Sequence, residues 1–247
     1  MKPTVKIATT KTPDGGQMEL YQHGRDFSIR INGYDLMLSR QNESELELAR
    51  LARGWLTRPK ARILIGGMGM GYTLRQTLDM VGPDAQVTVV ELLDAVVSWN
   101  RKFFGELNGH PLKDKRTVVV RGDILDIISR SKNQFDAILL DVDNGPSAMT
   151  DSGNQSLYNY QGIYACFQAL RKQGCLGIWS AEASKKFERI LISCGFHARR
   201  FRVPAYKGAK SRSRVIWIAS QDKSALPPGG GEPDTPGKTK KKTRAGA

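Results

Sequence analysis

From residue 62 onward the chain alternates between short apolar runs and segments with helical spacing. The apolar, β-branched runs predict strands near 62–66, 86–91, 117–121, 135–141, 175–180, 196–203 and 214–220. Between them, apolar residues spaced by three and four predict helices near 71–81, 94–104, 124–130, 158–172 and 183–194. Because strands and helices alternate, we expect a mostly parallel sheet with helices on both faces.

The last two predicted strands have no room for a helix between them. Residues 204–211 predict a hairpin connection, so the final strand should run antiparallel to its neighbours. Seven strands that end in this way are typical of S-adenosylmethionine-dependent transferases rather than of NAD-binding proteins. The sequence therefore predicts an α/β fold with a doubly wound, seven-stranded Rossmann-like sheet of that transferase type.

The first 55 residues have a different pattern. Short alternating runs at 18–21, 27–31 and 35–38 are separated by turn sequences and predict a small antiparallel β unit. An amphipathic helix is predicted over 43–55. We expect three parts: this β unit and helix at 1–55, a nucleoside-binding catalytic domain at 56–222, and a disordered basic tail at 223–247.

Composition favours a cytoplasmic protein with a core of ordinary size. Hydrophobic residues make up 40% of the 247, and no apolar run is long enough to span a bilayer. Cys166, Cys175 and Cys194 are odd in number and lack a CxxC spacing. They predict buried, reduced thiols rather than disulfides or a metal site.

The formal net charge is +14, and residues 185–214 carry ten Lys and Arg against a single acid. Such a stretch could attract nucleic acid or another anionic partner. No interleaved aromatic platform accompanies it, so a solvated basic face is the favoured interpretation.

Glycines follow the first strand of the alternating region, and an acid ends the second. The glycines let the backbone approach a nucleotide, the next helix offers free N–H groups, and Glu91 can accept both ribose hydroxyls. Asp123, after Gly122, can accept the adenine amino group. Each residue also has a structural interpretation, as a turn or a cap. Their common place at carboxyl ends of strands favours a nucleoside site formed by Gly66, Gly67, Gly69, Gly71, Glu91 and Asp123.

The fourth strand ends in two acids and a Gly-Pro turn, and these acids are the candidate catalytic residues. Asp141 and Asp143 could receive a proton from an attacking amine near a sulfonium and hold the resulting cation. Asp143 and Asn144 could instead form an Asx-type turn. Asn144, Tyr158 and Tyr160 are candidate substrate-binding residues, although the tyrosines could equally pack against the sheet.

The motifs at 63–75, 89–91, 101–104, 122–123 and 136–141 resemble, in order, those of the spermidine synthase (polyamine aminopropyltransferase) family. The resemblance implies that Glu91 binds ribose, Asp123 binds adenine and Asp141 is the base. It also implies a decarboxylated S-adenosylmethionine donor and a small-molecule amine acceptor. No metal is expected, because the three histidines are too scattered to suggest a metal site. A homodimer is compatible with the sequence, and a membrane partner is not expected.

Several positions depart from that family. Its glycine-loop aspartate becomes Gly69, its second strand-end acid becomes Asn144, and a gatekeeping glutamine becomes Leu36. Its Tyr-His-Glu helix motif falls on residues 45–47, Glu-Leu-Glu. Two alternatives to aminopropyl transfer therefore stay open. One is a methyltransferase that pairs the carboxylate of S-adenosylmethionine with Arg75 or Arg40, and the other is a non-catalytic nucleoside- or RNA-binding protein.

Overall fold

The computed structural model describes residues 3–142, 145–148, 155–209 and 213–233. Its N-terminal sheet has four antiparallel strands in chain order. These are β1 (Thr4–Lys11), β2 (Gln17–His23), β3 (Asp26–Ile31) and β4 (Tyr34–Leu38). The sequence predicted the last three. It missed β1 because most side chains of that strand stay at least partly exposed and alternate only weakly between apolar and polar.

The second sheet has seven strands in the order β10-β11-β9-β8-β5-β6-β7. They are β5 (Arg62–Gly66), β6 (Gln86–Glu91), β7 (Thr117–Arg121), β8 (Phe135–Leu140), β9 (Leu170–Ser180), β10 (His197–Pro204) and β11 (Ser213–Ser220). Neighbours from β9 through β8, β5 and β6 to β7 pair in parallel, whereas β11 is antiparallel to both β9 and β10. The predicted α/β fold and its antiparallel final strand are confirmed.

The helices flank the second sheet. They are α1 (Glu43–Leu51), α2 (Arg53–Leu56), α3 (Tyr72–Leu78), α4 (Asp94–Trp99), α5 (Gly105–Asn108), α6 (Ile124–Ser129), α7 (Gln155–Tyr158), α8 (Tyr160–Ala169) and α9 (Lys185–Ser193). A π-helical turn, Asn100–Phe104, joins α4 to α5. The predicted helix 158–172 is too long at its C-terminal end, because Leu170 already pairs with Phe135 and begins β9. The predicted helix 43–55 is divided at Ala52.

Two apolar clusters form the core. The first joins α1, α3 and α4 to the N-terminal sheet, and the second contains Tyr158, Phe187 and Trp217 among its buried residues. Burial of each large apolar side chain contributes about 1.5–3 kcal/mol to folding. All three cysteines are buried and free, as predicted.

The N-terminal sheet is fixed over the carboxyl end of β5. The rings of Phe27 and Phe104 meet edge to face, with centroids 5.4 Å apart. Tyr72 Oη, at the start of α3, donates to the backbone oxygen of Ser39 at 2.9 Å. The antiparallel unit therefore forms one wall of the space above the parallel sheet. The division of the chain at residues 55 and 222 stays a prediction, and residues 234–247 lie outside the described part.

Candidate active site

The glycine loop between β5 and α3 has the backbone that the sequence predicted. Gly67, Gly69 and Gly71 have φ of +86°, +49° and +85°, in the left-handed region that favours glycine. A Cβ atom on Gly67 would lie 2.2 Å from the backbone oxygen of Asp141. The loop therefore needs glycine for its conformation and for its close approach to the end of β8.

Two asparagines that the sequence analysis did not select hold this loop. Asn100 Nδ2 donates to the backbone oxygen of Gly69 at 2.8 Å, and Asn108 Nδ2 donates to that of Met70 at 2.6 Å. Both asparagines are buried. Asn100 opens the π-helical turn, a feature often found at functional sites. The sequence signal that could have identified them is a polar residue on the buried face of an otherwise apolar helix.

Glu91, the last residue of β6, is buried beneath the loop. Its Oε2 accepts from the Met68 N–H at 3.0 Å and its Oε1 from the Leu93 N–H at 2.9 Å. Burial raises the pKa of this carboxyl, while the backbone hydrogen bonds act in the opposite direction. Each carboxylate oxygen can accept a second hydrogen bond, so the structural role leaves capacity for ribose hydroxyls.

Asp123 lies at the next strand end along the sheet edge. Its Oδ1 accepts from the Leu125 N–H at 2.8 Å and caps α6. The pairing of Glu91 with Arg121 between β6 and β7 brings this cap close to the Glu91 end of β6. Asp123 therefore acts as a helix cap, which was its structural interpretation. Binding of adenine by this exposed residue stays a prediction.

Asp141 follows β8 and contacts both the start of the glycine loop and α3. Its N–H donates to the backbone oxygen of Gly66 at 2.8 Å. The Thr73 hydroxyl lies 2.5 Å from Asp141 Oδ2 and 3.3 Å from the backbone oxygen of Glu45, and its single hydrogen favours the shorter contact. Thr73, on the first turn of α3, therefore fixes the direction of the Asp141 carboxylate.

Glu45 and Asp141 form an electrostatically coupled pair. Burial raises the pKa of Asp141 to about 6, against the lowering effect of the Thr73 hydrogen bond. Burial and the charge of Asp141 together raise the pKa of Glu45 to about 8. The pair as a whole therefore holds about one proton near neutral pH.

A cavity of about 250 Å³ opens beside this acidic pair. Its walls come from β4, α1, the ends of β8 and β9, and the start of β11. The lining residues are Asp35, Leu36, Met37, Leu38, Gln41, Ser44, Glu45, Asp141, Val142, Trp179, Ala205 and Arg214. A much smaller cleft shares Met37, Leu38, Glu45 and Asp141 and reaches Met68, Gly69, Met70 and Tyr72. The two acids therefore lie between the glycine loop and the larger cavity.

Several residues of this cavity were not among the predicted site residues. Glu45 precedes Trp179 and Arg214 by more than a hundred residues in the chain, and the three meet only in the folded protein. The arginines proposed for a donor carboxylate are engaged elsewhere: Arg40 pairs with Asp26 and Arg75 with Asp79. Neither of these two arginines lines the larger cavity or the cleft.

The remaining predicted residues are distributed as follows. Asp143 and Asn144 lie outside the described residues. Tyr158 is fully buried in the second core cluster, where its ring meets Phe187 edge to face at 5.8 Å. Tyr160 is exposed and stacks on Tyr164. Neither tyrosine lines the cavity or the cleft, and a role for them in binding the acceptor stays a prediction.

The sheet topology and the glycine loop define the class of protein, which is an α/β protein with the Rossmann-like sheet of the S-adenosylmethionine-dependent transferases. The family model for the spermine/spermidine synthase domain matches residues 46–190. The chain belongs to this family, as the motifs indicated.

Individual relatives agree with this assignment. A polyamine aminopropyltransferase of Saccharolobus islandicus is 31% identical over 119 residues, which are 48% of this chain and 38% of that protein. The match thus spans well under half of the curated relative. Spermidine synthase from Thermotoga maritima superposes with a TM-score of 0.69 at 18% identity, over 90% of this chain and 75% of that one. A spermidine synthase in complex with the transition state analogue AdoDATO gives 0.68 at 17% identity, over 90% and 76%.

The described part of the chain has neither a metal-binding cluster nor a membrane-spanning helix. No group of three or more His, Cys, Asp or Glu side chains is arranged there to hold a metal ion. No helix there combines the length and apolar composition that crossing a membrane requires.

Proposed function

We propose that this protein transfers an aminopropyl group from decarboxylated S-adenosylmethionine to an amine acceptor, as a transferase of polyamine biosynthesis. The observation that carries the proposal is the position of Asp141, between the glycine loop and an open cavity, with its carboxylate directed by Thr73. The names of the relatives support the same chemistry.

In this proposal the glycine loop and Glu91 bind the nucleoside of the donor. The acceptor enters the larger cavity and presents an uncharged amine to the carbon next to the sulfonium. A C–N bond forms as the C–S bond breaks, and methylthioadenosine leaves with the electron pair of that bond. The new ammonium loses one proton to Asp141.

The electrostatics of the acidic pair suit this step. With its pKa raised to about 6, Asp141 is charged at neutral pH and is a stronger base than an ordinary aspartate. Before it takes the proton, the negative charge of Asp141 also stabilises the cation that develops on the attacking nitrogen, in a site partly shielded from water. Glu45, with a pKa of about 8, keeps its proton at pH 7 and avoids a second full charge beside Asp141.

The test has two parts. First, calorimetry compares binding of S-adenosylmethionine, its decarboxylated form and methylthioadenosine, and we expect the decarboxylated donor to bind more tightly than the carboxylated one. A preference for S-adenosylmethionine, with S-adenosylhomocysteine as product, would establish methyl transfer instead. Binding of none of the three would exclude a nucleoside site.

Second, Asp141→Asn keeps the shape of the side chain and removes the base. We expect turnover to fall by about 10²–10⁴-fold while the affinity for methylthioadenosine stays within a few-fold of wild type. Retained turnover would show that Asp141 is not the base. A parallel loss of nucleoside affinity would show instead that the substitution disturbs the glycine loop.

A further inference from the structure

Arg214 places a positive charge in the cavity proposed for the amine acceptor, a class of molecule that usually carries ammonium groups. It is the second residue of β11, next to Val215, which pairs with Ser180 in β9. Its guanidinium carbon lies 5.8 Å from the ring centroid of Trp179, so the cation rests beside an aromatic wall of the same cavity.

Burial raises the pKa of Glu45 and the nearby charge of Arg214 opposes that shift, but no ion pair neutralises Arg214 in the described part of the chain. Within residues 3–142, 145–148, 155–209 and 213–233, no carboxylate lies within ion-pair distance of Arg214. The other acid on that side, Asp35, already pairs with Arg30 at 2.7 Å. The buried indole Nε1 of Trp179 also has no acceptor among the described residues. The guanidinium of Arg214 is therefore available to an oxygen-bearing group in the cavity, whereas the Trp179 Nε1 is too buried for direct contact.

The position of Arg214 separates it from the donor side. Arg214 lines the larger cavity but not the cleft that reaches Met68, Gly69 and Met70. Glu45 and Asp141 line both spaces. From the cleft into the larger cavity, the glycine loop comes first, the acidic pair second and Arg214 third. The guanidinium therefore faces the part of the acceptor that is distant from the reacting amine.

We infer that the acceptor carries a carboxylate in addition to its amine, and that Arg214 binds that carboxylate. The inference rests on the proposed function and specifies the substrate class. A simple diamine would bring its second ammonium towards a guanidinium, which is unfavourable where solvent screening is weak. A carboxylate, in contrast, matches the planar fork of arginine and can accept two parallel hydrogen bonds.

The experiment uses acceptors that differ only in this group: ornithine against 1,4-diaminobutane, and lysine against 1,5-diaminopentane. Binding is measured by calorimetry on the full chain saturated with methylthioadenosine, and transfer is measured separately with the decarboxylated donor. We expect the amino acid of each pair to bind about tenfold or more tightly than its diamine. Equal binding, a preference for the diamines, or no binding of the amino acids would overturn the inference.

Three variants assign the effect to the side chain. In Arg214→Gln we expect the preference for the carboxylated member to fall about tenfold, with the diamines bound as well as before or better. Arg214→Lys should keep part of the preference, because the charge stays while the fork is lost. Arg202→Gln is the matched control, since it removes the same charge from an exposed position on the neighbouring strand β10. An unchanged preference in Arg214→Gln, or an equal loss in Arg202→Gln, would contradict the assignment.

The carboxylate could also belong to the donor, and the same variants separate the two sources. If Arg214→Gln lowers the affinity for S-adenosylmethionine and leaves acceptor preference unchanged, Arg214 serves the donor and the inference is wrong. If methylthioadenosine binds and diamines react as well as amino acids, only the inference fails. If methylthioadenosine does not bind wild-type protein, the proposed function fails first.

Discussion

The glycine loop and the larger cavity meet at Asp141, yet they are built in different ways. The loop takes its shape from backbone conformation, with positive φ at Gly67, Gly69 and Gly71, and two asparagines from the following helical segment hold it. The cavity is formed by side chains from β4, α1, β9 and β11, among them Met37, Glu45, Trp179 and Arg214. One region is local and the other is assembled from the whole fold.

This difference separates substitutions that disturb the backbone from substitutions that alter one side chain. A change in the loop alters the path of the backbone, so it affects folding and nucleoside binding together. A change on the cavity wall alters a side chain on a strand or helix that stays in place. Leu36 and Glu45, two of the positions that depart from the family pattern, belong to this wall. Acceptor choice can therefore diverge while the nucleoside end is kept.

Gly67→Ala gives the largest expected effect, because it tests the backbone region directly. A Cβ at this position would lie 2.2 Å from the backbone oxygen of Asp141, and φ is +86°. We expect a loss of about 3 kcal/mol or more in the free energy of unfolding, together with loss of methylthioadenosine binding. Urea denaturation and calorimetry measure the two effects.

Gly54→Ala is the control for this substitution. Gly54 lies in α2, where a Cβ would have no atom within 4 Å, so we expect stability to stay equal or to rise by up to about 1 kcal/mol. Wild-type stability in Gly67→Ala would mean that the loop tolerates a side chain and that its path is not fixed by this contact.

Glu91→Ala is next in size. It removes the acceptor of the Met68 and Leu93 N–H groups and the proposed partner of the ribose hydroxyls. We expect methylthioadenosine to bind at least about tenfold more weakly. Comparing methylthioadenosine with its 2′,3′-dideoxy analogue separates the two roles. If Glu91 binds the hydroxyls, wild type discriminates between these ligands and Glu91→Ala does not. If both proteins discriminate equally, the ribose lies elsewhere.

The sequence was sufficient for the local region. Each strand of the large sheet and the glycine turn followed from short-range patterns, because the period of apolar residues and the position of glycine reflect the conformation of the same few residues. Glu91 and Asp141 were found since they end strands, and carboxyl ends of parallel strands meet at one edge.

The cavity wall could not be derived in the same way. In the sequence, Glu45 looks like an ordinary charged residue of an amphipathic helix. Arg214 is one of ten basic residues in a charged stretch. Only the packing of α1 on β9 and the pairing of β11 with β9, the neighbour of β8, bring both residues to the cavity beside Asp141. Tyr158 shows a second limit of sequence patterns: its place beside a polar loop left both a pocket and packing open, and its ring packs against Phe187.

Thr73→Val tests the contact between the two regions. The substitution keeps the shape and removes the hydroxyl that lies 2.5 Å from Asp141 Oδ2. Losing a hydrogen bond to a charged carboxylate should raise the pKa of Asp141 further and misdirect it, so we expect kcat to fall about tenfold and the acid limb of its pH profile to move upward. Thr77→Val, one turn along α3, is the control, since its buried hydroxyl has no partner in the described part of the chain. Equal effects in both variants would indicate a packing defect rather than a role for the hydrogen bond.

Glu45→Gln gives the smallest expected effect and reports on stability rather than on turnover. Because the pKa of Glu45 is raised to about 8 in the folded protein and is near 4.5 in the unfolded chain, the folded state binds the extra proton between these values. The stability that this proton provides is present below about pH 4.5 and is lost as pH rises through about 8. Glutamine is neutral throughout, so Glu45→Gln should match wild type at pH 5 and exceed its Tm by about 5 °C at pH 9. Glu47→Gln removes a charge from the same helix outside the cavity and serves as the control. A difference that does not grow with pH would mean that Glu45 is not forced to keep its proton beside Asp141, and the two acids would then act independently rather than as a pair.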